Sequence, residues 1–403
     1  MTKYDIFCVF VENLQRISYL CDTMKTLYLF NPENDMALAY GGPYYMPPAN
    51  ARRMASDLSA LPVWYAIPNA EVWMTRERDV QWLQQTCPLH LPIQGITVPK
   101  HIYNKVVPWG WSASIVHRLV QQDIDPYLCP SSQQLEQIRN LSARRTAVEV
   151  LRKIQLPHTL GEALPIHSLE EVDFSYPYLL KAPWSGSGRG IQRLEKKPDA
   201  PLQGWIDHIL KTQGYLVAEP YYRKVVDFAM EFCMNEGVAE FMGYSLFETD
   251  IRGIYKENLL ATDNEIEHRL SGYVPIEVLH AVCNQLLHLL PDAIGTNYSG
   301  CLGVDMMICQ EDDTYAVHPC VEINLRMNMG LVSRLFYDSY VIKGTIGRYV
   351  IEFYSKPGEA LCAHYELQQR YPLVVEDNKI RQGYMSLTPV FDDTAYQAYV
   401  VID

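Results

Sequence analysis

His318-Pro319-Cys320-Val321-Glu322-Ile323-Asn324-Leu325-Arg326 alternates apolar and polar residues, and the reading of this stretch decides the fold. Period two marks a β-strand, with Val321, Ile323 and Leu325 on one face. Glu322 and Asn324 share the other face, because side chains two apart on a strand point the same way. A second strand precedes it, Gly303-Val304-Asp305-Met306-Met307-Ile308, followed by a polar turn around Glu311 to Thr314. Folding the two strands back on each other brings Asp305 opposite Glu322, to within about one residue pair. Two carboxylates and an amide oxygen then crowd one patch. These are hard ligands suited to Mg²⁺, so Asp305, Glu322 and Asn324 form the candidate metal and catalytic centre.

The chain has 403 residues, enough for two or three domains, and its 48% hydrophobic and 20% charged residues are those of a globular protein. A net charge of -13 argues against a nucleic-acid partner, since phosphate backbones are held by surplus Lys and Arg. It leaves a nucleotide open, which needs only local cations and amides. No apolar run approaches the roughly 20 residues needed to cross a bilayer, so no membrane partner is expected. Ile6 to Val11 is a short apolar run broken by Glu12, Asn13 and Gln15, unlike a secretory signal. Ten cysteines occur without a Cys-x-x-Cys, which reads as reduced thiols in a cytoplasmic protein. Cys301, Cys309 and Cys320 near the patch read as small apolar fillers. The eleven histidines show no zinc-ligand spacing.

In chain order, residues 1–23 read as an appended segment and Met24 as the start, followed by an opening strand that ends at Asn31-Pro32. The loop Asn31 to Asp35 lies where open α/β sheets bind ligands; a plain surface loop is the alternative. Arg52 to Leu61 is predicted helical, Val63 to Ile67 a strand, and Glu77 to Gln85 and Ile115 to Gln122 helices. That alternation implies a doubly wound domain over 24–125. Ser131 and Ser142 are predicted to cap helices running to Asn140 and Gln155. The second opens on Arg144 and Arg145, unfavourably placed against the helix dipole unless an anion sits there. A helix at about 202–212 completes a unit over 126–213. The remainder, 214–403, carries antiparallel strands from Tyr215, a polar insert over Arg252 to Leu260 and a core helix at 275–290. Its tail is predicted helical to Tyr354, then strands at Tyr371 to Val375 and Tyr396 to Ile402.

Tyr178 to Ile191 holds a second chemical signal. An apolar strand carries Lys181, and a loop with Gly186, Gly188 and Gly190 leads into another strand. Glycines let backbone amides approach phosphate oxygens, and Ser185, Ser187 and Arg189 add donors. The stretch is neither a Walker loop nor a dinucleotide fingerprint. A lysine on a buried strand needs an anionic partner. Glu231 either pairs with Lys181 or faces solvent.

In this order the pieces resemble the ATP-grasp superfamily, which includes D-alanine–D-alanine ligase, glutathione synthetase and biotin carboxylase. The resemblance covers about residues 24–350 and is strongest from 142 to 330. It implies an α/β and α+β architecture, with an N-terminal Rossmann-like (pre-ATP-grasp) domain and two α+β subdomains clamping the nucleotide. It further implies that Arg144 touches the nucleotide phosphates, in place of the family's usual Lys, with Arg145 as the substitute. Lys181 is implied to contact the α- and β-phosphates, and Ser185 to Gly190 to close over the triphosphate. Glu219, Tyr221 and Tyr222 fall on the adenine hinge, and Asp227 on the ribose-reading acid. Asp305, Glu322 and Asn324 match the ligands of two Mg²⁺ ions, with Mn²⁺ as the alternative. The run from Asn324 to Gly330 has the Asn-x-Arg form of carboxylate–amine ligases without the D-alanine ligases' Ser-Pro-Gly, and Gly303 replaces their substrate-side arginine.

The resemblance implies a carbon–nitrogen ligase that makes an acylphosphate from ATP and a small-molecule carboxylate, then passes the acyl group to an amine. Arg326 would hold the carboxylate or the acylphosphate, and Arg189 would neutralise phosphate charge. Lys256 and Arg252 are second candidates for substrate contact. A kinase on the same fold and a non-catalytic nucleotide-binding protein are the alternatives. A homodimer is the expectation for such enzymes.

Overall fold

Lys25–Leu29 forms the expected opening strand, β1, and Asn34–Tyr40 the first helix, α1. They belong to a computed structural model that describes residues 25–173, 177–185, 190–249 and 255–403. After α2 (Ala49–Asp57) the chain continues through β2 (Glu71–Trp73), α3 (Glu77–Gln85), β3 (Gln94–Ile96), β4 (Tyr103–Pro108) and α4 (Ala113–Val120). The strands form a parallel sheet in the order β3-β2-β1-β4. The strand predicted over Val63 to Ile67 does not form; Leu61–Trp64 is a 3-10 helix with all four residues buried. An apolar run without alternation cannot tell a strand from a buried turn. Here Trp64 fixes the turn by donating its indole N–H to the Leu387 carbonyl at 2.6 Å.

Ser131 caps α5 (Ser132–Leu141) in a complete capping box with Gln134. Ser142 does not cap the next helix. Its hydroxyl donates to the Ile138 carbonyl at 2.7 Å, closing α5, and α6 (Arg144–Leu151) starts after Ala143. The helix also stops short of Gln155, where Lys153 and Ile154 tighten into turns on the Val150 and Leu151 carbonyls. A small antiparallel sheet follows from β5 (Leu164–Ile166), β6 (Tyr178–Lys181), β7 (Ile191–Leu194) and, after α7 (Ala200–Gln213), β8 (Leu216–Pro220). Its order is β5-β8-β6-β7, and α7 covers one face through Ile206 and Ile209.

The large sheet starts with β9 (Lys224–Asn235) and β10 (Val238–Thr249). The predicted polar insert is in its described part a strand, β11 (Tyr255–Leu260), paired with β10; Arg252 lies outside the described residues. The helices α8 (Asp263–Leu270) and α9 (Ile276–Ile294) lead into β12 (Gly300–Glu311), β13 (Thr314–Asn324) and α10 (Met329–Tyr340). The tail helix ends fourteen residues before Tyr354, because the Tyr337 hydroxyl accepts from Gly344 N–H and donates to the Thr345 carbonyl, turning the chain. The β-branched and aromatic run that follows becomes β14 (Gly347–Phe353), with α11 (Glu359–Arg370), β15 (Val374–Glu376), β16 (Lys379–Ser386) and β17 (Tyr396–Ile402) completing the chain. The nine strands run β13-β12-β9-β10-β11-β14-β17-β16-β15.

Two cores set the site. One packs α6 and α9 against the sheet through Leu279, Leu286, Phe228 and Phe232. The other joins Tyr28 and Trp64 of the N-terminal unit to Phe336, Tyr349 and Val400. Each such buried side chain contributes about 1.5–3 kcal/mol, so the N-terminal loops are held firmly against the C-terminal half of the large sheet. Among the described residues no helix is long and apolar enough to cross a membrane.

Candidate functional site

Asp305 pairs directly with Glu322 across β12 and β13, with Gly303 opposite Asn324 two pairs further along. Asn324 donates its amide N–H to Asp305 Oδ2 at 3.0 Å. Burial first, and the Glu322 carboxylate second, push the Asp305 carboxyl up to about 7. Like charges pressed together on hard oxygen donors fit a divalent cation. Two guanidiniums meet part of that demand in the protein itself. Arg144 Nη1 lies 3.1 Å from Glu322 Oε2, an ion pair without hydrogen-bond alignment. Arg326 donates to Asn324 Oδ1 at 2.9 Å. Among the described residues no group of three or more His, Cys, Asp or Glu side chains forms a ready cation cluster; the donor set is two carboxylates and an amide.

Arg144, not Arg145, faces this patch. Its other nitrogens donate to the Ala182 carbonyl and to Ser185 Oγ, both at 3.1 Å, while Arg145 stacks outside on the Tyr215 ring. One buried guanidinium therefore ties the carboxylate strand to the β6–β7 connection. At the base of that connection Gly190 allows the close approach, since a Cβ there would fall 2.3 Å from the Ser185 Cβ. Gly186, Ser187, Gly188 and Arg189 lie outside the described residues.

Lys181 and Glu219 are each 2% exposed and meet at 2.6 Å. The anionic partner that a buried strand lysine requires is thus Glu219, and Glu231 plays neither of the parts expected of it. Burial alone would raise the Glu219 carboxyl, but the charges of Lys181 and His318 outweigh it and hold it at about 2. His318 lies fully buried at 3.6 Å from Glu219, too far for a hydrogen bond, and neither ring nitrogen has a partner. Its ring packs edge-on against Tyr222, whose hydroxyl accepts from Glu162 N–H at 2.8 Å. Sequence reading passed over His318, although it falls on the same strand face as Glu322 by even spacing.

The remaining predicted residues divide. Asp227 sits on β9 beside the hinge, holding Lys224 in an ion pair and accepting from Thr249 Oγ1 at 3.0 Å. Tyr221 is exposed, with the Arg193 guanidinium 4.0 Å over its ring. Lys256 stands apart from the carboxylate patch: its ion-pair partner is Glu248 at 3.8 Å, and both side chains are more than half exposed. Arg326 is already engaged, since its fork closes on both oxygens of Asp35 at 2.8 and 2.7 Å.

Glu231 is the residue that sequence reading missed most. It is 1% exposed, pairs with Gly303 on β12 two rungs from Asp305, and accepts from Asn328 Nδ2 at 2.7 Å. Burial drives its carboxyl up to about 8. Gly303 and Gly330 make the space: a Cβ at either would fall 2.6 or 2.3 Å from a Glu231 oxygen. Gly303 therefore gives the Glu231 carboxyl its room.

Biotin carboxylase from Campylobacter jejuni, in a β,γ-ATP complex, superposes over 94% of this chain and 87% of its own at 11% identity, with a TM-score of 0.50. The chain has the ATP-grasp fold. N5-carboxyaminoimidazole synthetase from Staphylococcus aureus complexed with ADP aligns over 94% of both chains at 13% identity, with a TM-score of 0.48. An ATP-grasp superfamily protein from Archaeoglobus fulgidus aligns over 94% of this chain and 99% of its own at 12% identity, with a TM-score of 0.45. No protein-family model matches the sequence, and no curated protein does. Arg144 bridges Ala182, next to the small β5–β8 sheet, to Glu322 of the large sheet, and the Lys181–Glu219 pair of the small sheet lies beside His318 of the large one.

Proposed function

We propose that the protein is an ATP-dependent ligase that joins a carboxylate to an amine through an acylphosphate. The observation that carries this reading is the convergence of Asp305, Glu322, Asn324 and Arg326 on one patch, tied through Arg144 to the lysine strand and Ser185. Phosphoryl transfer asks a protein for positioning and charge neutralisation more than for covalent chemistry. Lys181 and Arg144 would hold the phosphates, and the Glu219 hinge the base. Asp305, Glu322 and Asn324 would hold Mg²⁺, which supplies charge neutralisation at the transferring phosphoryl group.

In the first step a substrate carboxylate oxygen bonds to the γ-phosphorus, the bond to the β,γ-bridging oxygen breaks, and ADP leaves. In the second the amine nitrogen bonds to the acyl carbon, the acyl–oxygen bond breaks, and phosphate leaves as the nitrogen gives up its proton. Arg326, whose fork is held by Asp35, adds fixed positive charge beside the strand where the acylphosphate would form. The Campylobacter jejuni biotin carboxylase of the same fold is a β,γ-ATP complex, which supports a nucleotide in this cleft.

The test incubates the protein with ATP, Mg²⁺ and the twenty L-amino acids as a pool of carboxylates and amines. ADP, phosphate and a condensed amide are expected in equal amounts. ADP with a stable phosphorylated product would replace the ligase by a kinase, and ATP binding without turnover would leave only a nucleotide-binding protein.

A further inference from the structure

We propose that Asp35 is the residue that receives the ammonium group of the amine substrate, and that Arg326 positions it. This deepens the ligase reading and rests on it. Asp35 lies in the first turn of α1, 291 residues from Arg326 in sequence, and the two meet only because the N-terminal unit packs on the C-terminal half. Arg326 grips the carboxylate in bidentate fashion and is itself fixed by Asn324 Oδ1 at 2.9 Å and the Met327 carbonyl at 3.1 Å. The orientation of the carboxylate is thus set before any ligand arrives.

A carboxylate offers about four acceptor positions, and the fork takes two. The Asp35 side chain stays 23% exposed. It forms the wall of a small pocket with Asn34, Ser185, Glu322, Asn324 and Arg326. That pocket opens onto the strand where the acylphosphate would form. Asn34 backs the same wall: with its amide turned to suit its neighbours, its N–H group donates to the Gly110 and Trp111 carbonyls at 3.0 and 3.2 Å. Gly110 leaves room for it, since a Cβ there would fall 2.5 Å from the Asn34 amide. The Arg326 fork leaves acceptor positions of Asp35 unused on this pocket wall, and an ammonium brings N–H donors to fill them. The pinned carboxylate would hold the amine beside the strand where the acylphosphate would form.

The test compares wild-type protein with Asp35→Asn and Asp35→Glu, supplied with ATP, Mg²⁺ and the L-amino-acid pool, with hydroxylamine as a neutral nucleophile in parallel. Asp35→Asn is expected to lower amide formation at least tenfold more than hydroxamate formation and to raise the KM for the amine, with Asp35→Glu partly restoring both. Equal loss with both nucleophiles, or an unchanged KM, overturns the assignment. Calorimetric titration supplies an arm independent of turnover, using L-amino acids against their 2-hydroxy counterparts. The wild type should prefer the ammonium-bearing ligands and Asp35→Asn should not; equal preference in both proteins also overturns it. Absence of hydroxamate in wild type with every carboxylate would instead sink the ligase reading, leaving the titration to judge Asp35 alone.

Discussion

Arg144 and Glu322 stand 3.1 Å apart, and through that contact the carboxylate strand of the large sheet is joined to the lysine hairpin of the small one. The guanidinium is 4% exposed and also serves the Ala182 carbonyl. A planar cation with five donors can meet three partners at once; an ammonium on a flexible stem holds them less well.

Arg144→Met should therefore lose ATP binding and destabilise the fold, by about 3 kcal/mol, because it strands a half-buried carboxylate and a buried carbonyl. Calorimetric titration with ATP and a denaturant melt measure the two losses separately. Arg144→Lys should recover most of the stability and part of the affinity. Full ATP affinity in Arg144→Met would contradict the placement of the phosphates.

Asp305→Asn and Glu322→Gln should abolish ADP formation, and Asp305→Asn should leave the melting temperature unchanged or higher. The Asp305 carboxyl is already pushed up to about 7 by burial and by Glu322, so an amide relieves a repulsion. Normal turnover in either variant would refute the metal assignment.

Lys181→Met should be among the most destabilising single changes, at about 3 to 5 kcal/mol, since it leaves Glu219 buried without a cation. Adding Glu219→Leu should restore stability but not ATP binding, as a double-mutant cycle would read. The Glu219 carboxyl is held at about 2, against an ordinary value of 4.5, so its contribution is present above pH 4.5. It is lost as pH falls toward 2. Lys181→Met should remove that acid limb from a plot of stability against pH.

Glu231 has the opposite sign. Its folded carboxyl titrates at about 8 rather than 4.5, so the folded protein keeps a proton that the unfolded chain releases. The resulting stabilisation is complete below pH 4.5 and disappears as pH rises through 8, a change on the order of 4 kcal/mol. Glu231→Gln keeps an acceptor for Asn328 and should flatten this slope. Urea titrations at pH 5 and 8 measure it; equal slopes for both proteins would show that Glu231 is ionised in the fold.

Much of the site was legible before the fold was known because its signals are local. Even spacing puts Glu322 and Asn324 on one strand face, and the polar turn at Glu311 to Thr314 brings the two strands into near register, while a bulge between Asp305 and Met307 sets the final pairing of Asp305 with Glu322. Lys181 and the glycines beyond it are likewise contained within one hairpin. Helix ends were read less well: Ser142 and the stop at Tyr340 depend on which group reaches a free carbonyl or hydroxyl first.

Period and turn chemistry in the sequence by themselves determined the two strands that carry the acids, the lysine strand and the opening strand of the N-terminal unit. Only tertiary structure decided that Lys181 is neutralised by Glu219, that two glycines make room for Glu231, and that Asp35 closes on Arg326. The physical reason is the range of the forces. Strand alternation is set by neighbours along the chain, whereas ion pairing and desolvation depend on what packing brings within a few ångströms, here across up to 291 residues.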